Sequence, residues 1–473
     1  MPIKSSESRT RVFSLADDWL ASPAFSLGLT LSSNDRVKDL RRSATVLAKL
    51  VRFFCFVGLG LRVSGISHAD TATESEPVVA RVEMRLADGE KLIDVIEKGD
   101  LLTVIEVRDE EYVITTHDGS RGVVDHVNAV KLAEATDIYT ELIAENPDEG
   151  RYHTLRASAW WALGKPEQAL EDFNEAIEKG YEEAHAFSSR GLFYAAAGNP
   201  QKAIEDYNEA LKRDSEDISP LINRAAAHMS LGKYDSAVDD YSEALRTRED
   251  NIPLLRQRAL ANKAAGRFDS AIGDFNAILE QDKDDVPSIM GRGYVYFQKM
   301  DFENAAESFS RAIELNDGDP VAFNNRGYNL YQIGEVEQAL KDYDRAIELA
   351  PKYGLAYQNR AWLLATTEMI DLRDADSAVE SAKQACEISN YKNISDLSAL
   401  AASLAAQGKF DEAVGWQEKV VELAPAPFKA FAEKMKVRYE DERPYAADPD
   451  QATASEDRAA EAAIQKEAGV PRP

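Results

Sequence analysis

Cysteine is nearly absent from this chain of 473 residues, which has only Cys55 and Cys386. A framework of disulfides of the kind that staples small secreted domains is excluded. Basic charge is also short: 55 Lys and Arg stand against 83 Asp and Glu, for a net charge of −28. Neutralising phosphates needs a basic patch, so the deficit argues against nucleic acid and against an anionic membrane surface as partners. Basic partners stay permitted, although a solvated acidic face explains the charge equally simply. The apolar run Phe53–Leu61 is far shorter than the roughly twenty residues a bilayer span takes. Signatures of chemistry are missing as well. There is no HExxH, GxSxG, P-loop or dinucleotide fingerprint. The histidines His68, His117, His126, His153, His185 and His228 are not spaced to share a metal on one helix. No catalytic residue, metal site or cofactor is expected.

What the chain does have is a period. Arginine returns every thirty-four residues at Arg156, Arg190, Arg224, Arg258, Arg292, Arg326 and Arg360. Alanine keeps the same step at Ala169, Ala203, Ala237, Ala271, Ala305 and Ala339, with an aromatic four residues on at Phe173, Tyr207, Tyr241, Phe275, Phe309 and Tyr343. A fixed period of this size means an array of identical supersecondary units. Each unit reads as two helices. A small residue follows the arginine, and a glycine seven residues later marks the turn (Gly164, Gly198, Gly232, Gly266, Gly334). Glycine alone takes left-handed dihedrals there without steric cost. Met300 stands in its place once, which predicts a strained or differently built turn. In the second helix Ala203, Tyr207 and Ala210 fall on one face. Pro351 and Pro425 close second helices.

This pattern of small residue, aromatic, glycine turn, alanine, aromatic, alanine and proline resembles the tetratricopeptide repeat (TPR) family. The resemblance covers roughly 133–425. It implies an α-solenoid of about eight helix-turn-helix units: a leading half unit, six regular units, a seventh lengthened around Thr367–Asp376, and an eighth. After it come a capping helix and a disordered, Ala- and Glu-rich tail (426–473), too short for the transferase domain some TPR proteins carry.

One departure from the family pattern is informative. The common repeat has leucine where the arginines sit, and an aromatic at the matching second-helix position. Here that position holds Asp172, Asp206, Asp240, Asp274 and Asp342. In the eighth unit Leu400 and Trp416 return together. The spacing predicts structural ion pairs Arg156–Asp172, Arg190–Asp206, Arg224–Asp240, Arg258–Asp274 and Arg326–Asp342. Arg292 with Ser308 and Arg360 with Ser381 lack this partner. An arginine ladder gripping an acidic ligand is the competing reading.

Two further segments precede the array. In residues 1–69, Arg41, Arg42, Lys49 and Arg52 lead into Phe53–Leu61, and Ser67 and Ala69 occupy the small-residue positions before Asp70. This reads as an N-terminal extension with an export signal, which is the chain's one expected and transient contact with a membrane. A buried helix in a cytoplasmic protein is the alternative. Residues 77–132 alternate as strands, "LLTVIEV", "EYVITT" and "GVVDHV", between turns at Lys98-Gly99-Asp100 and His117-Asp118-Gly119. Their order resembles bacterial SH3-like domains and implies a small all-β barrel. Val123 replaces an aromatic often used for ligand contact, so wall or peptide recognition and a spacer role both stay open.

The TPR resemblance also implies a binding groove lined by first helices. Tyr294, Phe297, Tyr328, Tyr331 and Trp362 fall on groove positions, and Asn324 and Gln358 share that surface as hydrogen-bonding groups for a peptide backbone. Aromatics concentrate binding energy at such sites. Bulky residues that merely fill a tight superhelix are the competing explanation. The expected function is a non-enzymatic, exported adaptor for a protein or peptide ligand. An envelope structural protein with a wall-associated SH3-like unit, or a cytoplasmic TPR regulator, are the alternatives. The β unit and the array are expected to fold separately.

Overall fold

A computed structural model of the chain describes residues 77–88, 91–116 and 119–445. The segment read as an export signal and the tail beyond Tyr445 lie outside the described residues. The chain forms two compact units that divide after Leu254.

The first unit opens with seven strands: β1 (Val78–Ala80), β2 (Met84–Asp88), β3 (Lys91–Ile96), β4 (Leu101–Val107), β5 (Glu111–Thr115), β6 (Arg121–Asp125) and β7 (Ala129–Lys131). Five form an antiparallel sheet in the order β6-β5-β4-β1-β7, and β2 and β3 pair as a separate ribbon. Aliphatic residues on the inward face of three strands put Leu102, Val104, Ile114 and Val124 into a shared core with Leu86 of the ribbon. Gly122 is needed for that closure, because a Cβ there would stand 2.2 Å from the Leu86 side chain.

Helices follow: α1 (Thr136–Glu145), α2 (Gly150–Ala162), α3 (Pro166–Glu178), α4 (Ala184–Ala196), α5 (Pro200–Arg213), α6 (Ser219–Ser230) and α7 (Tyr234–Thr247). They pack as the pairs α2/α3, α4/α5 and α6/α7. In α5 the face drawn from the period is the buried one: Ala203, Tyr207 and Ala210 are fully enclosed. The residue after each arginine must be small because the aromatic ring lies on it. A Cβ on Gly191 would come within 2.7 Å of the Tyr207 ring.

The β unit docks on these helices. Val79 and Leu132 share one hydrophobic cluster with Ala135, Tyr139, Leu142 and Ala159. The Tyr139 hydroxyl donates to the carbonyl of Gly99, 3.1 Å away and buried. Lys98–Glu141 at 2.8 Å and Arg151–Asp100 at 3.2 Å flank this contact. The strands therefore cover the apolar side of the first helices, as a terminal cap does in a stacked array.

The second unit takes in most of α8 (Ile252–Ala264), then α9 (Phe268–Gln281), α10 (Val286–Gln298), α11 (Phe302–Leu315), α12 (Pro320–Gln332), α13 (Val336–Leu349), α14 (Gly354–Thr366), α15 (Ala375–Ile388), α16 (Ile394–Ala406), α17 (Phe410–Leu423) and α18 (Ala426–Glu440). The pairs α10/α11, α12/α13, α14/α15 and α16/α17 repeat the same packing, and α18 lies on α17. First helices also touch one another, α12 with α14 and α14 with α16, so they share a face. The turn glycines sit at positive φ, 75° at Gly198 and 87° at Gly334. Met300 adopts φ 63° in the same place. The unusual residue keeps the glycine geometry, and its 61% exposed side chain shows that no packing offsets the strain.

Candidate functional site

Five arginines pair with the aspartate sixteen residues ahead in the way a guanidinium fork allows. Nε and Nη2 of Arg156 donate to the two oxygens of Asp172 at 2.8 and 2.7 Å. Arg190 holds Asp206 at 2.8 and 2.7 Å, Arg224 holds Asp240 at 3.0 and 2.6 Å, and Arg326 holds Asp342 at 2.7 and 2.6 Å. Arg258 reaches Asp274 at 3.1 and 2.5 Å. The aspartates are buried and the arginines mostly so. Burial pushes Asp206 and Asp342 above the ordinary carboxylate range, against the pull of their arginines. At these two positions the cost of burying the carboxylate works against its arginine, which is the usual balance in a buried ion pair.

The guanidiniums of Arg156, Arg190, Arg224 and Arg292 also reach backward, an arm that the spacing argument did not include. Nη1 turns back sixteen residues, to Thr140 from Arg156, Asn174 from Arg190, Asn208 from Arg224 and Asn276 from Arg292, at 2.6–3.1 Å. One side chain thus ties its own unit to the preceding one. Arg360 was expected to lack a partner. Its Nε donates to Asp344 at 2.6 Å and its Nη1 to the Ser381 hydroxyl at 2.7 Å. Arg292 has no bond to Ser308, whose hydroxyl donates to the Asn304 carbonyl instead, and Arg292 Nε is buried without a partner.

The aromatic residues stand two positions after the arginines (Tyr294, Tyr328, Trp362) or five (Phe297, Tyr331), on another side of the same helices. Tyr294, Phe297, Tyr328, Tyr331 and Trp362 are all half-buried. They interlock from helix to helix. Phe297 meets Tyr328 edge-on at 5.4 Å, Tyr294 meets Phe309 at 5.4 Å, and the Tyr331 hydroxyl lies 3.4 Å from that of Thr366. The ring of Trp362 meets Tyr445 at 5.1 Å. These rings lie half-buried on three successive first helices of the second unit.

Asn324 and Gln358 do not lie open beside these rings. Both are 1% exposed. Asn359 Nδ2 donates to Asn324 Oδ1 at 2.9 Å, Asn324 Nδ2 donates to Asn325 Oδ1 at 3.3 Å, and Asn325 Nδ2 donates to the Tyr294 hydroxyl at 3.2 Å. Asn324 is engaged in tying α12 to α14 beneath the rings, because a buried amide must find partners. The thirty-four-residue step from Asn325 to Asn359 is the sequence signal that could have revealed this chain of amides. Tyr445 was read as part of a cap and not as a neighbour of Trp362.

Among the described residues no group of three or more His, Cys, Asp and Glu is placed to hold a metal ion. No described helix is long and apolar enough to cross a membrane. Cys386 is buried, and burial pushes its thiol up to about 12, which leaves no thiolate for chemistry.

Comparison with known proteins agrees with this geometry. Family models of the tetratricopeptide repeat match residues 124–180, 157–218, 222–286, 256–320, 320–353 and 397–424, together more than half of the chain. The chain belongs to the tetratricopeptide repeat family. Its fold is a mainly helical TPR solenoid preceded by a small β unit. Among solved structures, the C-terminal part of a TPR protein from Cytophaga hutchinsonii is 17% identical, with TM-score 0.44, over 48% of this chain and 94% of that one. YrrB, a TPR protein with an unusual peptide-binding site, is 22% identical, with TM-score 0.35, over 40% of this chain and 96% of its own. Yeast Tom70 is 18% identical, with TM-score 0.36, over 66% and 85%. No curated protein matches the chain. TPR arrays bind protein or peptide partners and generally act as scaffolds.

Proposed function

We propose that this protein is a non-enzymatic adaptor that captures a protein or peptide partner on the aromatic face of its second unit. The carrying observation is the interlocked row Tyr294, Phe297, Tyr328, Tyr331 and Trp362, half-buried rings that still offer area and polar edges. Rigid aromatics give contact area at small entropic cost. Asn324 and Gln358 belong to the support of this face. The arginine–aspartate pairs belong to the frame, since an arginine already holding a carboxylate has little left for an acidic ligand.

The reading includes export, on the strength of the basic and apolar pattern before Asp70, and an envelope location follows from it. The strands of 77–132 form the SH3-like unit of this proposal. Their docking on Tyr139 favours a capping role over independent wall binding.

The test is capture in the native cell. Tagged wild type and the variant Tyr294→Ala/Tyr328→Ala/Trp362→Ala are cross-linked and recovered, and the retained proteins are quantified. The variant should keep its helical signal and lose at least tenfold of one specific partner. Equal recovery by the two chains would remove the aromatic face. An N-terminus at Asp70 in the recovered protein supports export, and an intact Met1 overturns it.

A further inference from the structure

At the C-terminal end of the second unit the aromatic face runs into the chain itself. α18 is anchored: Gln417 Nε2 donates to the Ala432 carbonyl at 2.9 Å, and Met435 and Tyr439 are fully buried. Past α18 the backbone reverses through Glu442 at φ 54°, a left-handed conformation that residues with a Cβ rarely adopt. The reversal is clamped at two points. The Arg443 amide donates to the Arg438 carbonyl at 3.0 Å, and Arg438 Nε donates to the Pro444 carbonyl at 2.8 Å. This turn lays Tyr445 on Trp362, with ring centroids 5.1 Å apart and planes at 69°. Tyr445 is only half-buried, unlike Tyr439 on the preceding helix.

Gln358, Trp362, Ser395, Gln417, Phe428 and Tyr445 help line a cavity of about 30 Å³ there. That is room for roughly two waters and for no amino-acid side chain. Gln358 Nε2 and Ser395 Oγ lie in its wall, buried and without a hydrogen-bond partner in the protein. Buried donors are ordinarily satisfied, and a pair of orphans in one apolar cavity calls for an explanation.

We infer that this cavity, once Tyr445 swings out, is the anchor subsite for an aromatic side chain of an extended peptide, and that Tyr445 is its built-in occupant. The inference rests on the peptide-binding reading of the aromatic face and names the chemistry of its ligand. The rings of Trp362 and Phe428 receive the aromatic side chain. The carbonyl before it takes the Arg438 Nε hydrogen bond that Pro444 holds now, and further backbone oxygens take Gln358 Nε2 and Ser395 Oγ. The chain's own Pro444-Tyr445 shows which ligand fits. Release of the Glu442 turn relieves its strained dihedral, which favours exchange.

The experiment uses the full chain and a fluorescein-labelled heptapeptide with the sequence of residues 441–447, Asp-Glu-Arg-Pro-Tyr-Ala-Ala, followed by polarisation. The Tyr445→Ala chain should bind it saturably. Wild type should bind at least tenfold more weakly, because its tethered tyrosine competes at high effective concentration. Tyr445→Ala/Trp362→Ala, and a peptide with alanine in place of the tyrosine, should also lose at least tenfold. Equal peptide binding by wild type and Tyr445→Ala, or none by either, overturns the inference. So does loss of amide protection across α16–α18 in Tyr445→Ala, which would make Tyr445 a core residue. Failure here, with partner capture still dependent on Tyr294 and Tyr328, sinks the subsite alone. The reverse result sinks the wider groove reading and leaves the subsite standing.

Discussion

The regular repeats and the eighth repeat treat a buried aspartate in opposite ways. In the regular repeats each aspartate at the second-helix position is gripped by an arginine fork, as Asp240 is by Arg224. In the eighth, Leu400 takes the arginine's place, and Trp416 stacks on Tyr391 at 5.3 Å where an aspartate would stand. One helical turn before Leu400, Asp396 is 4% exposed, and burial pushes its carboxyl up to about 6. The difference teaches that an arginine fork opposes the penalty burial puts on a carboxylate in this fold, whereas Asp396 has only the Ser389 hydroxyl against it.

The most severe break of that contrast is removal of one fork. Arg224→Leu leaves Asp240 buried without its fork, with only His228 Nε2 3.8 Å away, and should cost about 3–5 kcal/mol in chemical denaturation. Arg224→Leu with Asp240→Tyr restores the apolar pair of the eighth repeat and should cost clearly less. Equal losses would show that the pair does not act as a unit.

On the other side of the comparison, Asp396 should matter through pH. Its folded state holds the proton more tightly than the unfolded chain does. Its contribution is therefore most favourable below about pH 4 and is lost as the pH rises through about 6. Asp396→Asn should raise stability at pH 8 by up to about 3 kcal/mol and change little at pH 4. A gain independent of pH would remove this account.

Arg292 sits between the two cases, with a fork and no carboxylate ahead of it. Ser308→Asp should supply one. Its cost should be at least about 2 kcal/mol larger in an Arg292→Leu background than in wild type, measured as a double-mutant cycle. A coupling of zero would mean that the fork cannot turn to the new carboxylate. The smallest expected effect concerns the turns. Met300→Gly should gain about 1 kcal/mol, because φ 63° suits glycine and the exposed methionine loses no packing. A loss would place unseen value on that side chain.

Much of the frame was legible because it recurs. Tyr207 and Ala203 reappear every thirty-four residues, and that repetition separates core from surface without any alignment. The sixteen-residue step from Arg190 to Asp206 was readable because both partners vanish together in the eighth repeat. The backward reach to Asn174 was readable in principle, since positions 140, 174, 208, 242, 276, 310 and 344 are all polar. It was missed because a polar residue on a second helix resembles ordinary surface. The candidate site was less legible. Asn324 and Gln358 look like groove residues by position, and only packing shows them buried. Trp362 with Tyr445, and Tyr139 with Gly99, join segments 83 and 40 residues apart. Each such contact occurs once, so the period says nothing about it.

The three-armed arginine also sets a rule for how the gene of such an array can grow. A three-armed fork needs partners sixteen residues behind and sixteen ahead, so a duplication or deletion of thirty-four codons rebuilds the same contacts at the new junction. A change of any other length would leave a guanidinium opposite the wrong side chain. The one lengthened turn falls where the rule is already relaxed: Arg360 meets Ser381 twenty-one residues on and draws its countercharge from Asp344 behind it. Insertions of foreign segments should therefore be tolerated after Thr367 and resisted within the earlier repeats.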